Sequence, residues 1–187
     1  MQLYALCDQE LLDRREMDIE SFVKLCQKHQ VGIIQYRNKS ADLATLKSQL
    51  ILLRQDFDGY LIINDAYELI EYCDGVHMGQ EDLLDVDADI QKAVSIIRDI
   101  IGNDKLLGIS THNAKEIAIA NTLDLNYIGL GAYRSTTTKD VPNLLGDSLD
   151  TLAEKSIHPV AAIGGVKLDD TFEHVNYLVI GSGLFEN

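Results

Sequence analysis

The chain has 187 residues, of which 46% are hydrophobic and 25% are charged, as is typical of a single globular domain spanning residues 1–187. Its formal net charge of −14 disfavours nucleic acid and anionic membranes as partners. The apolar runs are too short to span a bilayer and the N-terminus shows no leader pattern, so we expect a cytoplasmic protein. Cys7, Cys26 and Cys73 lack CxxC spacing, which predicts reduced, buried thiols.

Short apolar runs alternate with amphipathic stretches along the whole chain, with a rhythm of roughly two dozen residues. The runs predict eight strands, at residues 3–7, 32–36, 60–64, 75–78, 106–110, 127–131, 160–163 and 177–180. Apolar residues at three- and four-residue spacing predict helices between them, at residues 18–28, 42–53, 88–101, 114–123 and 148–154. A further, short helix is expected around residues 170–175.

Strand followed by helix, repeated along the chain, predicts a parallel (β/α)₈ barrel, also called a TIM barrel. A doubly wound open sheet is the alternative, but the first strand is followed by Cys7-Asp8-Gln9-Glu10 and not by the expected glycine-rich turn. The sequence after the eighth strand is too short for a full final helix, so apolar wall would be exposed. A homodimer partner or another element would then cover it.

Two cations follow the second predicted strand, where a barrel places its active site. Arg37 and Lys39 are two residues apart and point to the same side of an extended segment. They suit a diphosphate, although solvated surface cations would show the same pattern.

Two carboxylates follow the third and fourth predicted strands. Asp65 and Asp82 would each lie at the strand-end rim, and paired carboxylates near a diphosphate commonly hold Mg²⁺. The alternative is that both residues serve the starts of helices. Carboxylate ligands bind both Mg²⁺ and Mn²⁺, so these residues do not show which ion the site would prefer.

Other polar residues lie at the remaining strand ends. His77 should point into the barrel mouth if Val76 and Met78 face the helices, and the Ser110 hydroxyl is placed to bond a phosphate oxygen. His112 would either reach the site or cap the next helix. After the sixth strand comes a hydroxyl-rich loop that ends in a cation; its candidate residues are Thr136, Thr138 and Lys139.

Glycine-containing turns follow the seventh and eighth predicted strands, at Gly164-Gly165 and Gly181-Ser182. Barrels commonly build a phosphate site from backbone N–H groups at these two positions. Both turns together therefore indicate a phosphate-binding cup.

The motifs QYRNK, IINDA, DGVHMGQEDL, LGIST, IGLGAYRSTTTK, AAIGGV and VIGSGLF resemble, in order and over nearly the whole chain, the thiamine phosphate synthase family. The resemblance implies an Mg²⁺-dependent transferase that joins hydroxymethylpyrimidine diphosphate to thiazole phosphate and releases diphosphate. One departure is the segment 167–177, which is shorter than the family pattern and lacks its usual Ala-Gly-Ala-Asp-Gly approach to the last strand.

The resemblance also implies roles for individual residues. The pyrimidine diphosphate would be held by Gln35, Arg37, Lys39 and Asn64, with His77 near the pyrimidine and Ser110 and Lys139 on the diphosphate. The metal would be held by Asp65 and Asp82, and the thiazole phosphate by Thr136, Thr138, Gly164, Gly165, Gly181 and Ser182. The catalytic candidates are Arg37, Lys39, Ser110 and Lys139.

Two rival functions remain open at this point. A thiazole tautomerase on the same fold would use His112 as general acid and base and needs no metal. A degenerate barrel would bind thiamine precursors without turnover. The retained Asn64, Asp65 and Asp82 favour the synthase over the tautomerase.

Overall fold

A computed structural model describes residues 1–135 and 144–185. Eight parallel strands close into a barrel in which each strand pairs with the next and β8 pairs with β1. The strands are β1 (Gln2–Asp8), β2 (Ile33–Arg37), β3 (Tyr60–Asn64), β4 (Gly75–Met78), β5 (Leu106–Thr111), β6 (Tyr127–Leu130), β7 (Val160–Ala162) and β8 (Tyr177–Ile180). The predicted barrel is confirmed, and every strand end agrees with its predicted position to within one residue.

Helices surround the barrel. They are α1 (Gln9–Arg14), α2 (Ile19–Lys28), α3 (Leu43–Asp56), α4 (Gln80–Val86), α5 (Ile90–Ile101), α6 (Ala114–Ala120) and α7 (Ser148–Ala153). Two 3-10 helices, Tyr67–Tyr72 and Ser182–Phe185, complete the regular structure. Neither α1 nor α4 was predicted from the sequence, and each begins within two residues of the end of a strand.

The prediction of a short helix around residues 170–175 is wrong, because the described residues between β7 and β8 form only turns and bends. Side-chain carboxylates take up backbone N–H groups there. Asp170 accepts from the N–H of Lys167 (2.8 Å), and Asp150 accepts from those of Glu173 (2.9 Å) and His174 (2.8 Å). The bonds from Asp150, which lies in α7, take N–H groups of the segment itself.

Aspartates start several helices. The carboxylates of Asp18 and Asp42 accept the N–H of Ser21 and Thr45, each at 2.8 Å, and Asp89 accepts the N–H of Gln91 at 2.9 Å. Each bond satisfies an N–H that lacks a partner within the helix, which stabilises the helix by about 1 kcal/mol. Some of the excess acidic residues therefore act as helix N-caps.

The core has two layers. Val76 and Met78 belong to the layer between barrel and helices, whereas Tyr4, Ile62 and Tyr127 belong to the layer inside the barrel. Gly108 makes room for the inner layer, since a Cβ atom there would lie 2.2 Å from the Tyr127 ring.

After β8 the described chain forms the 3-10 helix Ser182–Phe185 and, up to residue 185, no α-helix. The Phe185 ring packs against Phe22 of α2, with 6.2 Å between ring centroids. Cys7, Cys26 and Cys73 are buried free thiols, as predicted. Within residues 1–135 and 144–185, no helix has the length and apolarity needed to cross a membrane.

Candidate active site

A cavity of about 280 Å³ opens where the strands end. Of the residues predicted for the site, twelve line it: Gln35, Arg37, Lys39, Asn64, Asp65, His77, Asp82, Ser110, Gly164, Gly165, Gly181 and Ser182. Thr136, Thr138 and Lys139 lie outside the described residues. The apolar part of the wall includes Leu6, Ile163, Val166 and Val179. Barrel closure thus brings together residues that are far apart in the sequence.

Asp65 and Asp82 converge on one cation, the Lys39 ammonium. Lys39 Nζ bonds Asp65 Oδ2 and lies 3.4 and 3.5 Å from the two carboxylate oxygens of Asp82. Burial lowers the pKa of Lys39, but the hydrogen bond and charge of Asp65 and the charge of Asp82 outweigh it and raise the pKa overall. Lys39 therefore stays charged between the two carboxylates.

Neither carboxylate is the N-cap of a helix, but both lie at the start of α4, so the alternative interpretation is met in part. Asp65 has φ +62°, in the left-handed region, and its Oδ1 accepts the N–H of Gly79 at 3.0 Å. Asp82 lies in the first turn of α4, whose N-cap is Gly79. A left-handed conformation at a non-glycine residue is a costly feature found often at functional sites.

The acidic pair fits a magnesium ion. In the described part of the chain, no group of three or more His, Cys, Asp or Glu residues is placed to hold a metal. Mg²⁺ is usually held by one or two carboxylates and completes its shell with phosphate oxygens and water. Two carboxylates that already share one cation satisfy that requirement.

Arg37 lines the same cavity and is fixed by a partner that the sequence did not indicate. Its Nη1 bonds the carboxylate of Asp8, which is 1% exposed and also accepts the N–H of Leu11 at 3.1 Å. Asp8 and Arg37 are paired residues of adjacent strands. The ion pair orients the guanidinium at the rim.

A chain of buried hydrogen bonds crosses the cavity floor. Gln35 Nε2 donates to Tyr4 Oη (2.6 Å), and Tyr4 Oη bonds Tyr127 Oη (2.9 Å). Tyr127 Oη in turn bonds His77 Nδ1 (3.1 Å), and His77 Nε2 bonds Ser110 Oγ (3.1 Å). Three predicted substrate ligands, Gln35, His77 and Ser110, are thereby linked through two tyrosines.

This floor chain, defined as Gln35, Tyr4, Tyr127, His77 and Ser110, is uncharged at neutral pH. Burial lowers the pKa of His77 to about 4. Burial likewise raises the pKa of Tyr4 to about 12 and that of Tyr127 well above its usual value. The imidazole therefore serves as a neutral hydrogen-bonding group.

Sequence reasoning missed Tyr4, Tyr127 and Asp8. Strand alternation offered a signal for the tyrosines, because Tyr4 lies two residues before Leu6 and Tyr127 two before Gly129, positions that share one strand face. The inward face of each strand is fixed only by closure of the barrel, which sequence periodicity does not specify.

The glycine turns form the opposite side of the cavity. Gly164 and Gly165 have φ +85° and +65°, and a Cβ at Gly164 would come within 2.5 Å of the Ala132 Cβ. Among the described residues, the N–H groups of Gly164 and Gly165 have no hydrogen-bond acceptor. Backbone N–H groups of this kind can bind an anion.

His112 also lines the cavity, and it belongs to a His–carboxylate pair. Its Nδ1 lies 2.9 Å from Glu116 Oε2, which also accepts the backbone N–H of His112 at 2.8 Å. Asn113, rather than His112, caps α6 with bonds to the N–H groups of Lys115 and Glu116, each at 3.0 Å.

A parallel barrel with a carboxylate pair, cations and glycine turns around one strand-end cavity belongs to the class of barrel enzymes that act on phosphorylated small molecules. The family model described as thiamine monophosphate synthase matches residues 3–181. The chain belongs to the thiamine monophosphate synthase family, so the predicted family and its transferase class are confirmed.

Individual relatives agree with this assignment. The chain is 30% identical to the thiamine-phosphate synthase of Persephonella marina over 172 residues, which cover 89% of this chain and 77% of the relative. It is 31% identical to that of Lawsonia intracellularis over 182 residues, covering 94% and 79%.

Solved structures share the fold. The thiamine phosphate pyrophosphorylase from Pyrococcus furiosus superimposes with a TM-score of 0.73 at 22% identity, covering 97% of this chain and 85% of that one. A 3-hexulose-6-phosphate synthase gives 0.64 at 15% identity, covering 100% and 93%. These two matches support the barrel architecture.

Proposed function

We propose that this protein is a thiamine phosphate synthase, which transfers the pyrimidine methylene from diphosphate to the nitrogen of thiazole phosphate. The observation that carries the proposal is a single cavity with two different sides. Cations and paired carboxylates lie on one side, and the glycine turns lie on the other, where the N–H groups of Gly164 and Gly165 have no acceptor among the described residues. A substrate with a diphosphate and a second substrate with one phosphate would fit these sides.

On the first side, Asp65 and Asp82 would hold Mg²⁺, and Arg37 and Lys39 would bind the diphosphate. The metal, when bound, neutralises charge on the departing diphosphate. Arg37 supplies an oriented guanidinium because Asp8 holds it. Lys39, now between the carboxylates, supplies a mobile ammonium at the same rim. Lys139, outside the described residues, is proposed as a further diphosphate ligand.

The floor chain would bind the pyrimidine. Gln35, His77 and Ser110 offer neutral donors and acceptors, and Asn64 bonds the Asp65 carboxylate beside them. A neutral floor does not oppose positive charge that develops on the pyrimidine methylene as diphosphate leaves. The thiazole phosphate, held by the Gly164-Gly165 and Gly181-Ser182 turns with Thr136 and Thr138, would place the thiazole nitrogen near that carbon.

The residues of the described cavity act by binding and charge neutralisation. The methylene–oxygen bond to diphosphate breaks, the electron pair leaves with diphosphate, and the thiazole nitrogen lone pair forms the new carbon–nitrogen bond. Arg37, Lys39 and Ser110 would stabilise the leaving group. Leu6, Ile163, Val166 and Val179 line the cavity and would limit access of water to the reactive carbon.

The test is to mix the purified protein with pyrimidine diphosphate, thiazole phosphate and Mg²⁺ and to follow thiamine phosphate and released diphosphate. We expect equal amounts of both products and their loss on addition of EDTA, with recovery when excess Mg²⁺ is restored. Absence of product while both substrates bind would refute the proposal.

A second candidate function is supported by the His112–Glu116 pair at the cavity wall. A His held by a carboxylate is a suitable general acid and base, as a thiazole tautomerase requires. His112→Ala should reduce synthase activity by less than about tenfold, since charge neutralisation does not use it. The distinguishing assay incubates the protein with thiazole carboxylate phosphate in D₂O with EDTA present and measures proton exchange. Exchange indicates the tautomerase, whereas a metal-dependent synthase or a binder without turnover gives none.

We further propose a cytoplasmic protein that forms a homodimer. Three buried free thiols support a reducing compartment. Ile96 and Ile100 are 41% and 50% exposed one turn apart on α5, and Leu84 of α4 is 50% exposed, which supports an apolar contact surface. A monomeric mass in light scattering would contradict the dimer.

A further inference from the structure

Arg134 joins two segments of the cavity rim. It follows β6, and its side chain reaches the segment between β7 and β8. Nη1 and Nη2 bond the two carboxylate oxygens of Asp170 at 2.6 and 2.8 Å, and Nη1 also bonds the carbonyl of Gly165 at 3.1 Å. The backbone N–H of Arg134 donates to the carbonyl of Gly164 at 2.8 Å. One residue thus contacts both members of the glycine turn.

Neighbouring groups hold both partners of this ion pair. The guanidinium carbon of Arg134 lies 4.1 Å from the Tyr133 ring centroid, and that ring packs edge-on against Phe172 at 5.0 Å. Asp170 is 13% exposed and also accepts the N–H of Lys167 at 2.8 Å. A bidentate arginine–carboxylate pair fixes orientation better than a single contact does.

The glycine turn needs such support. Gly164 and Gly165 both have positive φ, and glycine gives a chain the widest conformational freedom. The described residues between β7 and β8 form no helix that would pack on the turn. Its N–H groups have no acceptor among residues 1–135 and 144–185, and their direction therefore depends on the contacts that Arg134 and Asp170 make with the turn.

We propose that Arg134, acting through Asp170, is a positioning residue that sets the affinity of the Gly164-Gly165 turn for the phosphate of the second substrate. The described cavity lining does not include Arg134, so its effect is indirect. The inference rests on the proposed function, which assigns this turn to thiazole phosphate. It adds that the affinities for the two substrates are set by separate contacts.

The test compares Arg134→Met, Arg134→Lys and Asp170→Asn with the wild type in steady-state kinetics. Arg134→Met should raise the KM for thiazole phosphate about tenfold and leave kcat and the KM for pyrimidine diphosphate within about twofold. Arg134→Lys, which keeps charge but loses the fork, should lie between Arg134→Met and the wild type. A merely structural role would not separate the two KM values.

Arg54→Met is the matched control. Arg54 also pairs with an aspartate, Asp74, and also bonds backbone carbonyls, those of Phe57 (3.2 Å) and Gly59 (2.9 Å). Those contacts lie before β3 and β4, away from the cavity rim. Arg54→Met should lower thermal stability without changing either KM.

An unchanged KM for thiazole phosphate in folded Arg134→Met would overturn the inference, as would an equal rise in both KM values. If Arg134→Met does not fold, Arg134→Lys and Asp170→Asn decide by the same comparison. If the wild type makes no product, the proposed function fails, and calorimetric titration with thiazole phosphate decides the inference separately. Weaker binding by the variants than by Arg54→Met would support it, and equal or absent binding would overturn it.

Discussion

Tyr127→Phe removes one oxygen atom from the centre of the floor chain and keeps the ring. The lost hydroxyl bonds Tyr4 Oη at 2.9 Å and His77 Nδ1 at 3.1 Å, both inside the barrel. An unsatisfied buried polar group costs about 1–3 kcal/mol. We therefore expect the free energy of unfolding to fall by about 2–3 kcal/mol, measured by urea denaturation.

The same substitution should weaken pyrimidine binding. His77 loses its anchor and no longer holds Ser110 Oγ in one orientation. A loss of about 1 kcal/mol in substrate binding corresponds to a rise of roughly fivefold in the KM for pyrimidine diphosphate. The KM for thiazole phosphate should not change. Steady-state kinetics with each substrate varied in turn measures both values.

Tyr36→Phe is the control for this experiment. The Tyr36 side chain is fully buried, and its hydroxyl bonds Gln9 Oε1 at 2.9 Å and Asn38 Nδ2 at 3.4 Å. Tyr36 belongs to the layer outside the barrel, so its loss should lower stability without affecting either KM. If Tyr127→Phe behaved like Tyr36→Phe in both assays, the floor chain would have no role in binding.

Three further predictions concern metal, protonation and stability. Asp82→Ala should lower kcat/KM at least about a hundredfold, with the fold retained by circular dichroism, because one of the two proposed magnesium ligands is lost. Lys139→Ala should have the same effect, and activity that survives both changes would refute the proposed roles. Burial keeps the pKa of His77 at about 4, against 6.5 in the unfolded chain. Between these two pH values the unfolded chain binds more protons than the folded chain, so the free energy of unfolding falls as the pH decreases from 6.5 to about 4. His77→Gln should remove a slope of up to about 1.4 kcal/mol per pH unit there, and an unchanged slope in urea titrations would contradict the assignment. Arg98 is 8% exposed, and its guanidinium bonds the carbonyls of Gly102, Lys105 and Asp124. Arg98→Met should lower the free energy of unfolding by about 3 kcal/mol, and a decrease under about 1 kcal/mol would show that these bonds contribute little.

The sequence predicted the barrel well because its strands are short apolar runs with clear boundaries. It also placed Asp65 and Asp82 at one rim, because parallel strands that close into a barrel bring their carboxyl ends together. Once the strand order is known, the approach of both carboxylates to Lys39 can also be inferred.

Other features were beyond sequence reasoning because they depend on contacts between distant segments. Tyr4 and Tyr127 are 123 residues apart, and their pairing follows from the side of each strand that faces inward. Arg134 and Asp170 are 36 residues apart, in segments whose path is set by their own hydrogen bonds. The mistaken helix at residues 170–175 has the same origin, since Asp150 of α7, which lies 23 residues before Glu173, accepts the N–H groups of Glu173 and His174.

The aspartates at the helix starts have a consequence for where an anion can bind. In a barrel of this kind the helices begin on the face where the strands end, so their N-terminal partial charges surround the cavity. At four of these starts an aspartate already accepts one or two of the N–H groups; these residues are Asp8, Asp18, Asp42 and Asp89. A phosphate cannot bind the N–H groups that an aspartate already holds, whereas among the described residues the N–H groups of Gly164 and Gly165 after β7 have no acceptor. Aspartate capping thus leaves the glycine turn, rather than these helix starts, as the backbone surface on which a phosphate can bind.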